Sequence, residues 1–143
     1  MASRRDDVRR ALLALVKTAF PLADVEMARD QAVAPGPGGT FALADRDPGE
    51  PEVTLSPLTY TFNHAFGLNI AAPKGHADPV AWIDLTLVAL GTAIEADRTL
   101  GGLCDWVEPT APDTDDLTAE GGRSVSTAEI GIVATYSTPN PLH

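Results

Sequence analysis

The chain is 143 residues long and 44% hydrophobic, with a mean hydropathy of −0.01. That fits one soluble globular domain with a single core and excludes a disordered chain. Acidic residues outnumber basic ones 20 to 10, a net charge of −10 that repels phosphate backbones and argues against gripping nucleic acid as a bulk property. One cysteine excludes an internal disulfide, so the core alone must hold the fold.

The first element reads as a helix. Val8, Ala11, Leu12, Leu15, Val16 and Ala19 recur at helical spacing and form one stripe. Ser3 is placed to cap it, Asp6 and Arg10 stand at i,i+4, and Pro21 ends it. Arg4, Arg5, Arg9 and Arg10 read first as a solvated face. The run ALLALV is too short for a signal-peptide core and is followed by Lys17, and no segment approaches the ~20 apolar residues of a membrane span.

Residues 23–29 (ADVEMAR) and 40–46 (TFALADR) alternate, and the turn-rich APGPGG between them predicts a hairpin. Those glycines are no phosphate loop, since no Lys-Ser/Thr pair and no helix follow. DPGEPEVTLSP (47–57), with three prolines, reads as a loop or edge strand. The clearest strand is LTYTFNHAFGLNIAA (58–72). Leu58, Tyr60, Phe62, His64, Phe66, Leu68, Ile70 and Ala72 share one parity, which predicts a core face, with a bend or bulge expected at Gly67.

Asp78 and Pro79 make an N-cap and first-turn pair for a second helix. Its expected buried stripe is Val80, Ile83, Leu87, Leu90 and Ile94, and its expected left-handed exit is Gly101–Gly102. GGLCDWVEPTAPDTDDL (101–117) then reads as a packed turn, with Cys104 buried and Trp106 sealing the helix end, followed by an acidic loop. STAEIGIVATYST (126–138) alternates and reads as an internal strand. The sum is an α+β fold, a mixed and mostly antiparallel sheet packed against two helices in a single two-layer domain over residues 1–143.

Catalytic chemistry has little to stand on. A nucleophilic cysteine needs a base and a positive setting, whereas Cys104 lies between Asp105 and Glu108. An acyl-transfer or hydrolytic enzyme would have to use Cys104 with His64 or His76. His64, on the apolar parity, reads as a satisfied core or edge histidine. The three histidines, His64, His76 and His143, have no metal-ligand spacing with the one cysteine. Asp113, Asp115 and Asp116 lack the glycine and closing glutamate of a calcium loop. No cofactor and no metal are expected.

The order of elements, with the long alternating strand and a last strand ending Ile132-Val133-Ala134-Thr135-Tyr136, resembles the lambda-like phage tail terminator proteins. The stretch ADRTLGGLCDWVEPTAPDTDDL resembles the segment after the second helix in small tail-completion proteins of phages and prophage-like elements. The resemblance implies a structural virion protein rather than an enzyme. It would form a ring of six copies at the head-proximal end of the tail tube, ending tube polymerisation after assembly in the bacterial host cytoplasm. Implied partners are other copies of itself, the tail tube protein and a head-tail connector or stopper. DNA would pass through the lumen without specific binding, and no membrane is involved. A stopper or connector subunit is the neighbouring alternative. On this reading Arg4, Arg5, Arg9 and Arg10 pair with acids on a neighbour, and Asp113, Asp115 and Asp116 face the lumen or a basic partner.

Overall fold

The computed structural model describes residues 2–28, 37–119 and 123–143, with side chains described except at 114–119 and 123–126. Part of the APGPGG segment, residues 34–36, therefore lies outside the described residues.

Helix α1 spans Arg4–Ala19, with the Ser3 hydroxyl accepting from the Asp6 N–H at 3.1 Å. Val8, Leu12 and Val16 are buried, and Ala11 and Leu15 pack against the same core, the stripe expected from spacing. Four strands follow, β1 (Asp24–Met27), β2 (Thr40–Asp45), β3 (Glu52–Thr54) and β4 (Thr59–Ala71). Helix α2 (Pro79–Ala96) precedes β5 (Trp106–Pro109), β6 (Asp113–Ala119) and β7 (Arg123–Thr138). The seven strands form one mixed sheet in the order β1-β2-β4-β7-β5, with β3 on β4 and β6 on β7. Every pairing is antiparallel except β1 with β2. Both helices pack on one face of the sheet, α1 over β1, β2 and β7, α2 over β7 and β5. The domain is α+β with two layers.

Several expectations change. The hairpin of residues 23–29 with 40–46 is instead a parallel pair, Asp24 opposite Thr40 and Met27 opposite Leu43. Alternation reports which way side chains point and says nothing of strand direction. Residues 28–39 also supply the dozen residues that a parallel return requires. Gly38 serves a close approach, because a Cβ there would sit 2.0 Å from the Leu22 carbonyl oxygen.

Strand β4 keeps the expected parity, with Phe62, His64, Phe66, Leu68 and Ile70 buried, but Gly67 is neither bend nor bulge. It stands in unbroken register opposite Gly131. The Arg46 guanidinium occupies the space over Gly67, and the Thr110 side chain the space over Gly131. Each glycine thus makes room for a break in the outer lane beside it, residues 46–51 between β2 and β3 and 110–112 between β5 and β6.

The acidic loop is also corrected: residues 113–119 are strand β6, Asp115 opposite Thr127 and Asp116 opposite Ser126. With β5 it forms an edge lane, where Pro109 and Pro112 are tolerated because an outward N–H needs no partner. Past the last β4–β7 pair, Ala71 with Thr127, β6 and β7 pair only with each other among the described residues. Helix α2 buries Ile83, Thr86, Leu90 and Ile94. Val80, expected in that stripe, is 63% exposed. The helix ends at Ala96, so Gly101 and Gly102, at φ +71° and +93°, close the following turn rather than the helix.

Candidate functional site

Cys104 is buried, and its thiol reaches the Arg98 carbonyl at 3.9 Å. Burial first, then Asp105 and Asp97, push the thiol up to about 11, with Arg4 acting weakly the other way. A thiol in that setting is a poor nucleophile at neutral pH. His76 stands in the loop before α2, its Nδ1 accepting from the Asp78 N–H at 3.1 Å, at the end of α2 remote from Cys104. Trp106 does not seal the helix end. It is half-exposed, and Leu100, Cys104 and Val107 do the burying there.

His64 is fully buried in a chain that crosses three strands. Its Nε2 lies 2.6 Å from Asp45 Oδ1 on β2 and 3.1 Å from the Arg46 carbonyl, and its Nδ1 lies 2.8 Å from the Tyr136 hydroxyl on β7. A carboxylate and a carbonyl only accept, so Nε2 carries a proton; in the neutral tautomer Nδ1 then accepts from the Tyr136 O–H. Phe66 stacks on the imidazole at 4.2 Å. Burial pushes the Tyr136 phenol up to about 12, with Arg5 lowering and Asp45 raising it less strongly. His64 and Tyr136 are 0% and 2% exposed, and of the three side chains Asp45 alone meets solvent, at 34%. The set is a polar bracket across β2, β4 and β7. With both ring nitrogens engaged, His64 has none left to activate Cys104.

The sequence-chosen cations do not form one patch. Arg4 turns inward, donating to the Leu103 carbonyl at 3.4 Å, and Arg5 stands near enough to Tyr136 to lower its pKa. Arg9 and Arg10 both bond Asp6 on the outer side of α1. Asp113 is exposed opposite Glu129. Asp115 and Asp116 have described backbone only.

Two surfaces stand out that local sequence motifs do not mark. The first is the sheet face without helices. Register places Asp24, Glu26, Glu52, Glu108, Asp113 and Glu129 on it. Among them lie small or uncharged residues, Ala42, Ala44, Asn63, Ala65, Gly67, Gly131, Val133 and Thr135. Two side-chain pairs on it satisfy each other, Thr61 with Ser137 at 2.9 Å and Thr135 donating to Asn63 at 2.8 Å. The cations described over this face are engaged. Arg46 bonds Glu129, and Arg98 lies over the Trp106 ring at 4.7 Å and bonds Glu108 at 2.9 Å.

The second surface is the outside of α2. Its 18 residues have a mean hydropathy of 1.4 with 22% of them buried, so by length and composition alone it would pass for a membrane-crossing helix, contrary to expectation. Packing of one stripe on the sheet explains only part of that composition. Val80, Leu85 and Val88 remain 63%, 69% and 63% exposed. They leave part of the outer side of α2 apolar and exposed. The turn between β3 and β4 adds exposed Val53, Leu55 and Leu58.

Among the described residues no group of His, Cys, Asp or Glu is arranged to hold a metal ion. Compared with models of protein families and with curated proteins, the chain matches none.

Proposed function

We propose that this protein is a structural assembly subunit of the tail-terminator kind, forming a ring that caps the head-proximal end of a phage tail tube and joins it to the head connector. The observation that carries the reading is the pairing of one wet, acidic sheet face with apolar surface elsewhere on the same small domain. A face of small residues and carboxylates costs little to leave in water and repels a phosphate backbone, as the wall of a channel for DNA should. The exposed apolar side chains of α2 and of the β3–β4 turn call for protein neighbours. Different patches on one chain suit a heterologous contact that closes into a ring. The buried thiol and the fully engaged histidine favour this role over acyl transfer.

The test is genetic. Deleting the gene from the phage or prophage that carries it should leave particles with tubes of uncontrolled length and unjoined heads. Complementation with either the native chain or Cys104→Ser should restore both. Restoration by the native chain alone, with a substrate consumed, would favour the enzyme.

A further inference from the structure

The two helices run antiparallel across the sheet. The start of α1 lies by the chain end, its Arg4 N–H bonded to the His143 carbonyl, and its far end stacks Phe20 on Phe41. Trp82, in the first turn of α2, lies beside Gly39, and Arg98, just past its end, bonds the Val107 carbonyl at 2.8 Å. In α1 the side that meets the α2 end carries Arg4, which reaches Leu103. Helical phase puts Arg9, Leu13 and Lys17 on the opposite side, toward the β1 edge, with Asp6 and Arg10 beside them. In α2 Trp82 faces β2, touching Gly39 and Phe41. Phase puts Val80, Asp84, Val88 and Glu95 on the other side, toward the β5 edge.

These outward flanks differ in charge. The α1 flank has three cations, Arg9, Arg10 and Lys17, against the single carboxylate of Asp6, around half-buried Leu13. The α2 flank has two exposed carboxylates, Asp84 and Glu95, around exposed Val80 and Val88, and the whole helix holds no cation.

We propose that these two flanks are the halves of one heterologous contact between successive copies of this chain, α2 of one copy lying against α1 of the next. This rests on the ring reading above and names the surfaces that close it. Copies that follow one another around a ring keep the same direction, so α2 meets its neighbour's α1 antiparallel, as the helices meet within a copy. In that register Lys17 falls near Asp84 and Leu13 near Val88, while Glu95 falls level with Asp6, about 4–6 Å past Arg9 and Arg10, the two cations that bracket that carboxylate. Arg9 to Lys17 spans about 12 Å and Asp84 to Glu95 about 16 Å, a mismatch that the long cationic side chains bridge. The open sheet edges agree in sense, since β5 runs opposite to β1, and antiparallel edges lie side by side. Two copies meeting through α2 alone would set carboxylates against carboxylates. The apolar residues supply adhesion and the charges fix partner and orientation.

The test uses two charge-reversed full-length chains, Asp84→Lys with Glu95→Lys, and Arg10→Glu with Lys17→Glu. Native mass spectrometry reads their assembly, alone and mixed, and circular dichroism reads their folding. The expected result is rings from the native chain, monomers from each folded variant alone, and rings from the mixture containing the two variants in equal number. Native rings with either variant still assembling alone, or with the mixture failing to assemble, would overturn the flank contact and leave the ring reading standing. A native chain that stays monomeric at high concentration and on tube ends would overturn both.

Discussion

The two faces of the same long strands make opposite bargains with water. Along β4 and β7 the even positions carry Phe62, Phe66, Leu68, Ile70, Ile130 and Ile132, all buried under α1 and α2. The odd positions carry Asn63, Ala65, Asn69, Glu129, Val133 and Thr135 with no helix over them. One face is expensive to expose and is covered; the other is cheap to expose and is left open. The contrast within α2 runs the other way, because its outer side remains apolar. The domain covers the apolar face of its sheet and leaves part of the outer side of α2 apolar and exposed.

The contrast can be broken by mutation. The largest effect should come from the covered face. Phe66→Ala removes a fully buried ring stacked on His64 and should cost about 3–5 kcal/mol in urea unfolding. Next is the thiol. With its pKa pushed up to about 11, the Cys104 thiol is about a hundredfold less ionised at pH 8 than in the unfolded chain, so iodoacetamide should label the folded chain that much more slowly than the urea-unfolded one. The same group makes stability fall with alkali. Between pH 9 and 11 the unfolded chain has lost a thiol proton that the folded chain retains, so the folded state binds more protons and loses ground as pH rises. Tyr136, raised from 10 to about 12, extends the decline, and Cys104→Ala should flatten its first part.

Smaller is the bracket. Tyr136→Phe leaves the buried Nδ1 of His64 without its donor and should cost about 1–3 kcal/mol. Asp45→Asn keeps an acceptor oxygen at a carboxylate that is one-third exposed and should cost less. The smallest effect belongs to the open face. Asn63→Ala loses one exposed hydrogen bond to Thr135 and should lower the unfolding free energy, read in urea, by no more than about 0.5 kcal/mol. A loss as large as that of Phe66→Ala would mean the face is not open.

Much of this architecture could be read from spacing. Ser3 and Asp78 cap the helices as their types suggest, and the parity of β4 placed His64 in the core. What failed to show was whatever depends on a distant partner. Asp45 and Tyr136 meet His64 only through the β2–β4–β7 register, which no local pattern encodes. The β5 and β6 lane was hidden because edge strands tolerate prolines and carboxylates that read locally as loop. The direction of β1 was hidden for the same reason, since its alternation fits a hairpin as well as a return. Helical spacing puts Val80 in the buried stripe of α2 because steps of three and four do not say where contact with the sheet begins, and it says nothing of exposed Leu85 and Val88.

The most direct measurement is electron microscopy of tail-tube protein polymerising with and without this chain. The account predicts tubes that stop growing and carry one ring of density at a single end. Tubes that lengthen unchanged, or that bind the chain along their whole length, would contradict it.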